Sequence, residues 1–137
     1  MIEKAKNVLA TGVYTCVVCG EAVTMTAVER GVKPLVAWLQ SGTDLRDCCA
    51  ADKVVGKATA FLYCLLGVRA VYGRVMSVPA LAVLQAGGIE AQYEMLVPHI
   101  INRAGDGICP FEKAVENISD PQMARRIILQ KMQRNGT

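Results

Sequence analysis

The run Val68–Met76 constrains the fold more than any other stretch. It is apolar at most positions rather than at alternate ones. A strand of that kind is buried on both faces, as strands in the interior of helix-covered parallel sheets are. Helical patterns flank it. Before it, a helix from about Ala51 to Leu66 carries Val54, Val55, Ala58, Phe61, Leu62 and Leu65 on one stripe. From Ala58 onward its other faces are apolar too, and Gly67 stops it. After it, Pro79–Ala86 reads as a short helix ended by Gly87-Gly88, and Ile89–Leu96 as the next strand, with Val97–Asn102 a candidate extension beyond Pro98. Strand–helix–strand connections of this sort build parallel neighbours.

The N-terminal part adds an antiparallel element. Tyr14–Cys19 and Ala22–Val28 are β-rich runs separated by Gly20-Glu21, which predicts a hairpin. A short helix, Ile2–Ala10, precedes it. Val32, Leu35, Val36 and Leu39 follow at helical spacing, with Pro34 in the first turn. Asp44–Cys49 reads as a connector with room for a short strand. Pro110–Asn117 and Pro121–Gln133 read as closing helices, the second capped by Asp120 and facing Ala124, Ile127, Ile128 and Met132 inward. A hairpin followed by strand–helix–strand units predicts an α/β three-layer sandwich with a mixed sheet. No repeat or linker divides the 137 residues, so one domain spans 1–137.

Composition excludes several classes. At 53% hydrophobic with a mean hydropathy of +0.31, the chain is no disordered segment. Its longest nearly uncharged apolar run, Ala58–Val68, is too short to span a bilayer, so no membrane is expected. A net charge of +3 is too weak to argue for nucleic acid. Arg125, Arg126, Lys131 and Arg134 make the last helix basic, but no aromatic side chain lies among them to stack a base. The start, Met-Ile-Glu-Lys-Ala-Lys, has no signal-peptide core. The six cysteines are therefore read as reduced thiols of a cytoplasmic protein. Cys16 and Cys19 form a CxxC by spacing only, because residues three apart in a strand point to opposite faces.

Three segments carry a resemblance: Gly31–Leu35, Ala51–Ala58, and Val97–Arg103 continuing through Gly107–Glu112. On these the chain resembles a bacterial family of unknown function, known from a Thermotoga structural-genomics structure and assigned to the cytidine-deaminase-like fold. The likeness runs from about Thr11 to Glu116, which would make residues 11–116 a deaminase-like core and 119–134 an appended basic helix. It implies a fold and no reaction. A zinc deaminase needs His or Cys followed by Glu two residues on at one helix start, and Pro-Cys-x-x-Cys at the next. Here the first site is read as Cys49-Ala50-Ala51-Asp52-Lys53 and the second as Pro79-Ala80-Leu81-Ala82-Val83. Neither Ala80 nor Val83 can ligate zinc, so no metal, no cofactor and no hydrolytic deamination are expected.

The stretch Asn102–Glu112 gathers an amide, two glycines, two carboxylates and a thiol in eleven residues. Cys109 precedes Pro110 at a helix start, where the positive dipole end lowers a thiol's pKa. It is either a nucleophile, with Asp52 or Glu112 as general acid/base, or a small buried residue at a junction. Gly105, Asp106 and Gly107 form either an anion-holding loop, together with Asn102 and Arg103, or a plain turn. Lys53 and Lys57 are read as one helix turn apart near its N-terminus, with Gly56 between them permitting close approach. The same pair also reads as two solvated lysines. The leading expectation is a pocket between Asp52–Lys57 and Asn102–Cys109 that holds a small anionic or nucleotide-like ligand. The alternatives are a metal-independent thiol enzyme using Cys109 and a homo-oligomeric interaction protein.

Overall fold

The computed structural model describes residues 1–102 and 104–134. Helix α1 (Ile2–Leu9) precedes a hairpin of β1 (Cys16–Cys19) and β2 (Thr24–Ala27). Helix α2 (Lys33–Gln40) leads to strand β3 (Cys49–Val55). Helix α3 (Lys57–Leu66), β4 (Ala70–Ser77), α4 (Val78–Ala86) and β5 (Glu90–Val97) then alternate, followed by α5 (Pro110–Ala114) and α6 (Pro121–Arg134). The sheet runs β2-β1-β3-β4-β5. Strand β1 is antiparallel to both β2 and β3, while β3, β4 and β5 are mutually parallel. The mixed sheet is the one expected from a hairpin joined to crossover units.

One expectation is overturned. Cys49–Val55 is a strand, and the helix expected from Ala51 begins only at Lys57. Ala, Asp, Lys and Val in this stretch suit either period, so the sheet decides. Its residues are paired on both sides: Ala51 with Val17 of β1 and Tyr72 of β4, Asp52 with Cys16 and Gly73. Leaving those neighbours unpaired would orphan backbone groups in the core. Lys53 and Lys57 therefore share no helix face, and Asp52 lies within a strand.

Alternation along the central strands divides the core. Cys16, Val18 and Ala50 face a cluster with α2, α3, α4 and α6, which includes the buried Leu35, Phe61, Leu62, Tyr63, Leu84 and Ile128. Val17, Cys19 and Ala51 face α1 through Ala5 and Leu9. Cys16 and Cys19 thus lie on opposite sides of the sheet, and all six cysteines are free thiols. Helix α3 is buried continuously from Ala58 to Tyr63, and Gly67 closes it in the left-handed region at φ 81°. Among the described residues, no helix is long and apolar enough to cross a membrane.

Candidate functional site

The register of β1 on β3 sets Asp52 opposite Cys16. Helix α3 brings Tyr63 over both. The Tyr63 hydroxyl donates to Asp52 Oδ2 at 2.7 Å and lies 3.0 Å from the Cys16 sulfur. Only 7% of Asp52 is exposed, and Tyr63 and Cys16 are buried. Burial pushes the Asp52 carboxyl up to about 7, although hydrogen bonds from Tyr63, the Val54 amide and Cys16 pull the other way. Burial likewise raises Tyr63 and Cys16, and the Asp52 charge adds to both shifts. Asp52, expected as an acid/base in a cleft, is instead the acceptor at the centre of a buried trio.

Glu112 meets the N-terminus of α3. Its Oε2 accepts a hydrogen bond from the backbone N–H of Lys57, the first helical residue. Gly56, extended at the N-cap position, makes room for this carboxylate rather than for a ligand. A Cβ there would stand 2.8 Å from Glu112 Cδ. The helix thus receives its cap from a side chain far along the chain, and the positive end of its dipole faces a resident anion. Glu112 is buried, and among the described residues its Oε1 has no hydrogen-bond partner. Lys57 Nζ donates to the Glu116 carbonyl at 2.8 Å and sits 5.8 Å from the Phe61 ring centre. Gly56 and Lys57 thus meet Glu112, which lies beyond the Asn102–Cys109 segment expected to face them.

The remaining expected residues lie elsewhere. Asn102 Oδ1 accepts from the Gly105 and Asp106 amides at 2.9 and 3.2 Å, and its Nδ2 donates to Asp106 Oδ1 at 2.9 Å. Ile101 and Ile108 bridge beneath this turn, Gly105 takes φ 77°, and Gly107 accepts from the Asn102 amide. Asn102 and Asp106 spend their side chains within the loop, as turn residues do. Arg103 lies outside the described residues. Cys109 is the half-buried N-cap of the five-residue α5, and among the described residues no base is hydrogen-bonded to its thiol. Lys53 stays in β3, its amide bonded to the Thr15 carbonyl.

A groove of about 400 Å³ opens beside these elements, between α3, α4 and the α5–α6 connection. Phe61, Val83, Ala86 and Ile118 give it apolar walls, and Lys57, Pro79 and Ser119 also line it. Of the expected binding residues that the structure describes, only Lys57 lines it. Pro79 stands in the first turn of α4, whose N-terminus is capped by Ser77 Oγ accepting from the Ala80 amide at 3.2 Å. Because α3 starts at Lys57, the helix-start residues to compare with a deaminase are Lys57-Ala58-Thr59, not Cys49–Lys53. They too lack a His, Cys or Glu.

The profile of a family described as TM1506, domain of unknown function (DUF1893), matches residues 4–132. The chain belongs to the DUF1893 family. The crystal structure of a DUF1893 family protein, TM1506 from Thermotoga maritima, superposes with a TM-score of 0.86 at 26% identity, over 94% of this chain and 88% of that one. No curated protein matches. The groove-lining Phe61 of this DUF1893 chain reads in sequence as an ordinary core position, and Ile118 carries no signal. Tyr63 carries no signal either, since a tyrosine in an apolar helix gives no hint that its hydroxyl meets an aspartate across a strand.

Proposed function

We propose that this DUF1893 protein is a binding domain of cytidine-deaminase-like fold, with a small molecule held in the groove between α3, α4 and the α5–α6 connection. The hairpin leading into β3-α3-β4-α4-β5 fits that fold, with α3 and α4 starting on either side of the groove. The ligand-bearing positions do not fit zinc, because Lys57-Ala58-Thr59 and Pro79-Ala80-Leu81-Ala82-Val83 supply no ligating side chain of the deaminase set. The observation that carries the reading is one cation, Lys57, in the lining of an apolar groove. Its Nζ lies 5.8 Å from the ring centre of Phe61, which lines the groove with Ile118.

That pairing favours a flat apolar body bearing a single anionic group. A polyphosphate fits less well, because Glu112 and Ser77 already cap the helix N-termini that would hold it. The volume is within the usual range for small-molecule sites, about 300–1,000 Å³. Thermal unfolding with aromatic carboxylates, nucleoside monophosphates, inorganic phosphate and uncharged nucleosides tests this. A fitting monoanion at a hundred times its Kd should stabilise by about 2.7 kcal/mol, a rise of about 10 °C in Tm. Lys57→Ala should remove that rise while leaving the ligand-free protein folded. No shift with any compound, or equal shifts in the variant, would refute the reading.

A further inference from the structure

The two edges of the sheet are built differently. Strand β2 is four residues long, and shortness is one way an edge avoids pairing with another chain. Strand β5 is eight residues long and, among the described residues, pairs in the sheet only with β4. Among the described residues, nothing pairs with its outer backbone edge. Glu90–Val97 contains no lysine, arginine, proline or glycine, and Glu90 and Glu94 are its charged residues. It also exposes Tyr93, Met95 and Leu96 to 44%, 58% and 37%. A strand of this length, with only two carboxylates along it, is a template for a further strand whose register keeps those carboxylates apart.

The charges on β5 indicate which strand. Antiparallel pairing of β5 with its own copy about a two-fold axis puts a residue opposite itself at the axis and keeps equivalent side chains on one face. Centring on Gln92 sets Glu90 against the partner's Glu94, and centring on Glu94 sets it against itself; like charges directly opposite are unfavourable. Centring on Tyr93 avoids both. Gln92 then faces the partner's Glu94, Ala91 the partner's Met95, and Glu90 the partner's Leu96. The side-chain amide of Gln92 can donate to the facing carboxylate on both sides of the axis. This register also uses nearly the whole strand, residues 90–96.

We propose that β5 pairs antiparallel with β5 of a second copy about an axis at Tyr93, joining two five-stranded sheets into one. The register has signatures that a generic dimer lacks. Residues opposite each other in an antiparallel pair have Cα atoms about 4.5–5.5 Å apart, within disulfide range. Tyr93→Cys should therefore form a 93–93 disulfide on mild oxidation, read by mass mapping, while Glu94→Cys should not link to itself. Gln92→Glu creates two Glu–Glu oppositions per dimer, and Gln92→Lys creates two Lys–Glu pairs. Sedimentation should show the dimer dissociation constant rising about tenfold in the first and falling about tenfold in the second. A monomer at about 50 µM would overturn the proposal and leave the edge to a strand of another protein, since specific dimers of this kind hold at micromolar concentration. A dimer whose constant is indifferent to residue 92, or in which Tyr93→Cys fails to cross-link, would place the contact on another face and equally overturn it.

Discussion

Raising the pH from about 4 to about 8 should weaken this fold by about 4 kcal/mol through one side chain. Asp52 has a carboxyl pushed up to about 7 in the folded chain, against an ordinary value of 3.8. Between those values the folded protein holds a proton that the unfolded chain has released. Stability therefore falls with each pH unit by about 1.4 kcal/mol across this window and levels off above it. The contribution is complete below 3.8 and lost as the pH passes 7. Asp44, pulled down to about 2 by its hydrogen bonds from Arg46, acts with opposite sign but only below the window. Urea unfolding at a series of pH values measures the effect. Trp38 is the single tryptophan and packs half-buried against the core, so its fluorescence reports the transition. A loss of about 4 kcal/mol moves the midpoint by about 2 M. Asp52→Asn keeps an oxygen to accept from Tyr63 but cannot titrate, so its profile should be nearly flat and cross that of the native protein. A native midpoint unchanged from pH 5 to 8, or an equal slope in the variant, would refute the linkage between Asp52 and the core.

Three other outcomes follow from single contacts. Gly56→Ala should destabilise by about 1–3 kcal/mol, because its Cβ would meet the Glu112 carboxyl, and Glu112→Ala in that background should cost less than it does alone. Thermal melts of the two single variants and the double variant measure this coupling; strict additivity would count against the cap. Gly67→Ala should lower stability by about 1 kcal/mol or more in the same assay, since φ 81° strains any residue with a Cβ and the methyl would press on Arg46. In the native protein iodoacetamide should label Cys109 first and Cys64 next, with burial raising the Cys64 thiol, while Cys16, Cys19, Cys48 and Cys49 react only on unfolding. A Cys109 rate far above that of a free thiol would restore a nucleophilic role to it.

The sequence by itself determined the elements whose patterns are local. The hairpin after Cys19 (with a turn of Gly20–Val23 rather than the expected Gly20-Glu21), the helix around Pro34, the buried strand after Gly67, the helix after Ser77 and the strand before Pro98 all announce themselves through turn residues and one dominant period. From these the α/β class and the mixed sheet follow. Only the tertiary structure decided that Cys49–Val55 is a strand. Its residues satisfy both periods, and the difference lies in hydrogen bonds to β1 and β4 that no window of the chain contains. The site depended on contacts of the same kind. Glu112 caps a helix 55 positions upstream, and Tyr63 reaches Cys16 across 47, so Gly56 and Asp52 read in sequence as a close approach and a general acid/base. Periodicity records how a segment presents its faces, whereas which group stands opposite a buried carboxylate or an uncapped helix is set by how distant segments pack.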